Sequence, residues 1–432
     1  MSKVAKFVAA LTLTASLATL AATGADAQNR RNRGGEAAAP AAPPVSRTFA
    51  AAFGPVDTAI RAQGWDAANA ALPALVAAAS SPYEKYLAGQ TEFRIASGMT
   101  DAARQLRAVN LMIDSAGVQG ADLNRLYVAA AQLAYNQNDY AQAAARLERA
   151  TALGVTSDNV PTLYVDALIR SGQLNQAVAA ARTMIATAQT SGQAAPENVY
   201  SLLARALQEA DRDAELLEIL TQRYAAYPTE FNVRSAGLTF LRVRPDNRDD
   251  AIDTIRLFIA AGAMNDRRYY LEHVGNLADA ALPNEAMTVL RAGRAAHIIP
   301  TPDRAFDEIA QIQQDRLADD RASLATSERG ALAAVEARRS VLVGDAYLSY
   351  QNYAKAEALY TAALAKTGAD AALINTRIGI TRIGAGDFAG GLAALGTVQG
   401  PRAPLAQLWA TYARSRIAAA TAAAAPAAPA AV

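Results

Sequence analysis

A small residue recurring at a nearly constant interval restricts this chain more than any other feature. An alanine sits three residues after a large apolar residue and four before another in Trp65–Ala68–Leu72, Met99–Ala102–Leu106, Tyr140–Ala143–Leu147, Leu174–Ala177–Ala181 and Tyr353–Ala356–Tyr360. Phe388–Gly391–Leu395 is a glycine version, and weaker versions centre on Leu216, Ala251, Ala286 and Ala322. Successive centres lie 34, 41, 34, 39, 35, 35, 36, 34 and 35 residues apart. One such alanine is unremarkable in an alanine-rich chain, but nine intervals near 35 define an internal repeat.

Upstream of each centre a second stretch reads bulky-x-x-apolar-small, as in Tyr127-Val-Ala-Ala130-Ala131, Tyr200-Ser-Leu-Leu203-Ala204 and Phe306-Asp-Glu-Ile309-Ala310. Short polar turns separate the two stretches: Asn136-Gln-Asn-Asp139, Arg170-Ser-Gly172-Gln173 and Gly384-Ala-Gly386-Asp387. Each holds a Gly or Asn able to adopt the left-handed conformation that ends one helix and starts the next. Prolines at 161, 196 and 228 fall between units, where helices begin. The spacing therefore predicts a helix pair of about 34 residues per unit. Small residues stand where the paired helices cross, because two backbones approach closely only without bulk, and aromatics fill the space between units.

The period, the Trp/Tyr-x2-Leu-Gly/Ala start and the aromatic-x2-Ala second helix resemble tetratricopeptide (TPR) repeats. The best match is Tyr127 to Leu153, with Tyr135, Asn138, Asp139, Tyr140, Ala143 and Ala150; the second is Leu342 to Ala365, with Gly344, Tyr347, Tyr353, Ala356 and Ala363. The resemblance runs from about residue 50 to 400 and implies an all-α, right-handed superhelix (α-solenoid) of about ten TPR-like helix pairs, some degenerate. Residues 49–300 form a first repeat block and 337–420 the last repeats with a capping helix containing Trp409 and Tyr412. Between them, 301–336 reads either as a degenerate repeat or as connecting helices. Units over 232–300 and 303–336 depart from the pattern, with Arg248, Pro283 and Asp319 at the aromatic position.

Residues 1–27 read as a secretory signal peptide: Lys3 and Lys6 precede an apolar run from Phe7 to Ala22, and Ala25-Asp26-Ala27 supplies the small-x-small cleavage pattern. A retained membrane anchor is the competing reading, disfavoured because the run is rich in Ala and Thr. Cleavage after Ala27 places the mature chain in a bacterial periplasm. Residues 28–48, with four arginines to one glutamate and prolines at 40, 43 and 44, read as a disordered Arg/Ala/Pro linker. Residues 421–432 read as a disordered Ala/Pro tail.

Charge argues against nucleic acid as a partner. The 41 basic and 40 acidic residues, less Lys3, Lys6 and Asp26 of the leader, leave 39 of each. With no cysteine, thiol catalysis, zinc–thiolate sites and iron–sulfur clusters are excluded. Only His273 and His297 exist, neither at metal spacing, so no metal site and no cofactor are expected. Gly384-Ala-Gly386-Asp387-Phe388-Ala389 imitates a dinucleotide fingerprint. Asp387 is the last acidic residue of the chain, however, so the later carboxylate that would hold the ribose is missing. Asp249-Asp250 and Asp319-Asp320 read as helix starts and solvated faces, and Arg402, Arg414 and Arg416 as a basic end cap. A carboxylate pair assembled across the fold keeps a hydrolytic enzyme as the third alternative.

The resemblance implies a groove lined by first helices that takes an extended peptide or another protein. Its register points Arg125, Gln132 and Asn136, then Asn159, Asp166 and Arg170, then Asn198, Arg205 and Gln208 inward. Arg, Asn and Gln suit backbone groups and carboxylates without demanding one sequence; an ordinary solvated polar face is the alternative. The expected function is a non-enzymatic exported scaffold for other envelope proteins, not membrane-spanning after cleavage. A glycan-binding module is second, resting on Tyr269, Tyr270, Tyr347, Tyr350 and Tyr360 as stacking platforms.

Overall fold

The computed structural model describes residues 43–155 and 159–424. The segment read as a signal peptide, most of the segment read as a linker (28–48) and the end of the one read as an Ala/Pro tail lie outside them. The described chain is helical throughout and divides into two compact units, 1–187 and 188–432.

The first unit is four helix pairs. They are α1 (Arg47–Arg61) with α2 (Trp65–Ala78), α3 (Pro82–Gly98) with α4 (Ala102–Asp114), α5 (Gly120–Asn136) with α6 (Tyr140–Ala152), and α7 (Val160–Arg170) with α8 (Leu174–Thr190). The second unit continues with α9 (Glu197–Glu209) and α10 (Asp213–Ala226), α11 (Glu230–Val243) and α12 (Arg248–Ala260), and α13 (Arg267–Asp279) and α14 (Pro283–Ala295). A lone helix α15 (Arg304–Ala333) follows, then α16 (Ala337–Ser349) with α17 (Tyr353–Leu364) and α18 (Ala371–Gly384) with α19 (Phe388–Leu395). A single 3-10 turn, Gly400–Arg402, leads into the last helix, α20 (Ala403–Ala424).

The turn chemistry explains the regularity. The left-handed residue expected inside a pair is present at Asn138, Gly172 and Gly386, and also at Gln63, Thr100, Asp211, Ala281 and Gln351. The backbone demand of the repeat thus overrides the preference for Gly at five positions. The next residue is often a cap: Asp101, Asp139, Asn352 and Asp387 each accept a backbone N–H two or three residues into the following helix. The Gly-Ala-Gly-Asp stretch is accounted for here as an inter-helix turn, with Gly386 left-handed and Asp387 capping α19.

The repeat centres Ala68, Ala143, Ala177, Ala286 and Ala356 are all fully buried. Close approach within a pair is seen at Gly344 of α16, where a Cβ would stand 2.6 Å from the Tyr360 ring of α17. Residues 232–300, which depart from the sequence pattern, nevertheless form two ordinary pairs, α11–α12 and α13–α14. Over 301–336 one uninterrupted helix of 30 residues replaces a pair. At 1.5 Å per residue it spans about 45 Å. Its polar middle, including Ala322 at the expected repeat centre, stays exposed, and only Phe306, Gln313 and Ala331 are buried.

The last helix does more than cover the final pair. It packs on α19, leans on α18, and runs across α10, α11 and α12. No described helix is long and apolar enough to cross a membrane.

Candidate functional site

In the first unit, α5, α6 and α7 bring Tyr135, Tyr140, Asp166 and Arg170 together. Asp166 and Arg170 are one turn apart on α7, and Arg170 Nε donates to the Asp166 carboxylate at 2.9 Å. The Tyr135 hydroxyl donates to the same carboxylate. The Arg170 guanidinium carbon stands 5.7 Å from the Tyr135 ring centre and 5.4 Å from that of Tyr140, and half of the Arg170 side chain remains open to solvent. The two rings meet edge to face, with centres 5.1 Å apart.

Burial, then the hydrogen bond to Asp166 and its charge, push the Tyr135 phenol up to about 12, so it remains a donor. The Asp166 hydrogen bond and charge hold the Arg170 pKa above its ordinary value. This is a cation fixed in place before anything binds. Pre-ordering removes much of the side-chain entropy cost that a flexible arginine would incur on meeting a carboxylate.

The other expected groove residues are less organised. Arg125 is exposed and pairs with Asp122 on its own helix. Gln132 is half-buried, and Asn136 and Asn159 are exposed. In the second unit Asn198 and Gln208 are exposed, and Arg205 pairs with Glu209 one turn away. Of the nine, only Asp166 and Arg170 share a built cluster, and Tyr135 and Tyr140, read from sequence as repeat residues, complete it.

A second cluster, in the interior of the second unit, was not anticipated. Asp253 of α12 is fully buried and receives Arg256 at 2.9 Å, Arg402 at 2.5 Å and, more distantly, Arg377 at 3.5 Å. Arg377 of α18 also reaches Asp345 of α16 at 2.6 Å and Asp249 at 2.7 Å. Arg402 and Arg244 both pair with Asp250, and Arg256 grips Glu285 of α14 through two nitrogens at 2.7 and 2.6 Å. Tyr360 donates to Asp345 at 2.6 Å, and the Trp409 indole N–H donates to the Asp253 carbonyl at 3.0 Å.

This cluster corrects two readings. Asp249-Asp250 does start a helix, but Asp250 is buried rather than solvated. Arg402 is 4 % exposed and neutralised, so it forms no basic end cap. The physical reason is common to both. The turn before α20 inserts Arg402 between α12 and α18, which a helix covering only the last pair would not do.

Five carboxylates (Asp249, Asp250, Asp253, Glu285 and Asp345) face four guanidiniums (Arg244, Arg256, Arg377 and Arg402). Burial works to raise Asp253, but Arg377, Arg402 and Arg256 outweigh it and hold the carboxyl below its ordinary range. At Asp345 burial wins over Arg377 and Arg256, pushing the carboxyl up to about 6. His273 of α13 borders this cluster, fully buried, with neither ring nitrogen hydrogen-bonded among the described residues. Burial brings it down to about 4, leaving a neutral ring at ordinary pH. Among the described residues there is no group of three or more His, Cys, Asp or Glu placed to hold a metal. The network is arranged as a fastening. Most of its polar atoms are occupied by one another, Arg377 Nε and Arg402 Nε being the exceptions, and α20 is held through Trp409 and through Arg402 in the turn before it.

Four of the five tyrosines considered as glycan platforms are spent on packing or on hydrogen bonds, and Tyr269 is half-buried. Tyr270, Tyr347 and Tyr360 are buried; Tyr347 donates to Glu328, Tyr350 to Asp320 and Tyr360 to Asp345.

No protein-family model matches the chain. No curated protein matches it either. Among solved structures it is similar to the APC/C hetero-tetramer Cut9-Hcn1, at 11% identity over 87% of this chain and 85% of that chain, with a TM-score of 0.21. It is also similar to Naa15/Naa10 bound to HypK-THB, at 12% identity over 83% of this chain and 70% of that chain, with a TM-score of 0.24. Superposition on both is loose, and the helix-pair repeat stands on the chain's own geometry.

Proposed function

We propose that this protein is a non-enzymatic scaffold of TPR-like helix pairs that binds extended segments of other proteins. Its leader sequence supports export, so its partners are proteins of the bacterial cell envelope. The observation that carries the reading is Arg170. It is a half-exposed guanidinium held by Asp166 against two tyrosine rings, a ready partner for a backbone carbonyl or a carboxylate of a passing chain.

The test is cross-linking in living cells of the exported chain and its Arg170→Ala variant, followed by identification of the captured proteins. The expected result is one or two stoichiometric envelope proteins that Arg170→Ala loses while keeping wild-type helicity and melting temperature. Capture that is identical in both forms refutes the Arg170 site, and a chain found only in the cytoplasm refutes the compartment.

A further inference from the structure

Where α20 crosses the second unit it closes a pocket of about 660 Å³ that neither the repeat pattern nor the Arg170 cluster accounts for. Its walls are the end of α10 (Tyr224), the start of α11 (Thr229, Glu230, Phe231 and Arg234), the end of α12 (Ala260 and Ala261) and one face of α20 (Tyr412, Ser415 and Arg416).

Its lining is mixed in a specific way. Phe231 is 55 % exposed, an apolar ring left beside the opening, with the Arg223 guanidinium against it at 5.5 Å. Arg416 is exposed and Arg234 half-buried, the latter anchored through one nitrogen to the Ala263 carbonyl at 3.0 Å. Two cations therefore face one carboxylate, Glu230, which sits in the first turn of α11.

The most informative group is Tyr224. It is 2 % exposed, it lines the pocket, and its hydroxyl has no hydrogen-bond partner among the described residues. Its oxygen is not among the buried atoms cut off from solvent, so the hydroxyl opens on the pocket as a donor that a ligand acceptor can take over from water. Burial, with Tyr412 close by, raises its pKa, so it stays a donor.

The geometry points to a binding site for an extended acidic peptide segment, one carrying an acidic side chain next to an apolar one. The carboxylate is received by the Tyr224 hydroxyl with Arg234 and Arg416, and the apolar neighbour rests on Phe231. The site lies apart in sequence from Arg170 and does not depend on it. α20 thereby serves as one wall of a binding site as well as a fastening.

The test is fluorescence anisotropy of the full mature chain with three fluorescein-labelled hexapeptides. One alternates leucine and glutamate with an amidated end, one replaces glutamate by glutamine, and the third is the glutamine peptide with a free C-terminal carboxylate. The expected result is saturable binding of the glutamate peptide, at least tenfold weaker for both glutamine peptides, and weakening with added salt. Tyr224→Phe, which removes one hydroxyl and no packing, weakens binding by about tenfold. Arg416→Gln, at an exposed position, weakens it several-fold, Glu230→Gln tightens it, and Arg170→Ala leaves it unchanged.

Equal binding of the glutamate and amidated glutamine peptides overturns the proposal. So does binding that needs only the chain-end carboxylate, or glutamate-peptide binding indifferent to both Tyr224→Phe and Arg416→Gln. Loss of binding on Arg170→Ala alone would assign the peptide to the first unit and refute this pocket while supporting the scaffold reading.

Discussion

The buried histidine makes a quantitative claim about acid. His273 is fully buried and its pKa is brought down to about 4 from 6.5. At pH 7.5 the ring is neutral in both folded and unfolded chains. At pH 5 the unfolded chain has taken up its proton while the folded ring has not, so stability from this group is lost as pH falls from about 6.5 to 4. At 1.36 kcal/mol per pKa unit, the loss reaches about 2 kcal/mol at pH 5.

Asp345 works in the opposite sense. Its folded pKa, about 6, lies above that of an unfolded aspartate, so the folded state takes up the proton first and gains about 1 kcal/mol by pH 5. The two partly offset each other in the natural chain. His273→Leu conserves volume, removes the two unpartnered nitrogens and leaves only the Asp345 side. The stability difference between variant and natural chain should therefore shift by about 2 kcal/mol in favour of the variant between pH 7.5 and pH 5.

Trp65 and Trp409 are the only tryptophans, one in each unit. In a Trp65→Phe background, urea unfolding followed by the buried Trp409 reports the second unit alone. Parallel stability curves for the two proteins from pH 7.5 to 5 would refute the reasoning.

Further outcomes follow from the same contacts. Arg402→Ala strips Asp250 and Asp253 of a buried partner and should cost about 3–5 kcal/mol in the Trp409-monitored transition, with the first unit unaffected. Gly344→Val forces a Cβ to within 2.6 Å of the Tyr360 ring and should cost at least about 1–3 kcal/mol, visible as a lowered urea midpoint. Glu84 accepts backbone N–H bonds from Ser46 at 2.6 Å, Ser80 at 2.8 Å and Ser81 at 3.0 Å, and these hold its carboxyl far below the ordinary range. What it contributes is present at neutral pH and is lost as pH falls below the ordinary glutamate pKa. Glu84→Gln should then lower the melting temperature of the first unit at pH 7 and shrink its drop between pH 7 and 3, as followed by Trp65 fluorescence.

What could be read from the sequence was local. A helix pair is closed by a turn of three residues, or four between α11 and α12, and by small residues one turn apart, all within about 35 positions. The alternation of Trp65, Ala68 and Leu72, or of Asn138, Asp139 and Tyr140, therefore states its own geometry, and these elements stand where the spacing put them. Even at Gln63 and Ala281, where the residue is a poor left-handed former, the repeat register locates the turn. Asp166 and Arg170 stand one turn apart on a helix, a spacing visible in the sequence, but their pairing with each other was not read from it.

The cluster around Asp253 was not legible. Arg402 reaches Asp250 across 152 positions, Trp409 reaches Asp253 across 156, and Arg377 reaches Asp249 across 128. No periodicity encodes such distances, and an arginine or aspartate carries the same symbol whether solvated or buried. Sequence alone determined that this chain is a stack of helix pairs with particular turns, caps and close-packed centres. Only the tertiary structure decided that the last helix turns back across α10 to α12. Burying a charge is tolerable only where an opposite charge arrives from elsewhere in the fold, and that meeting exists only once the chain has packed.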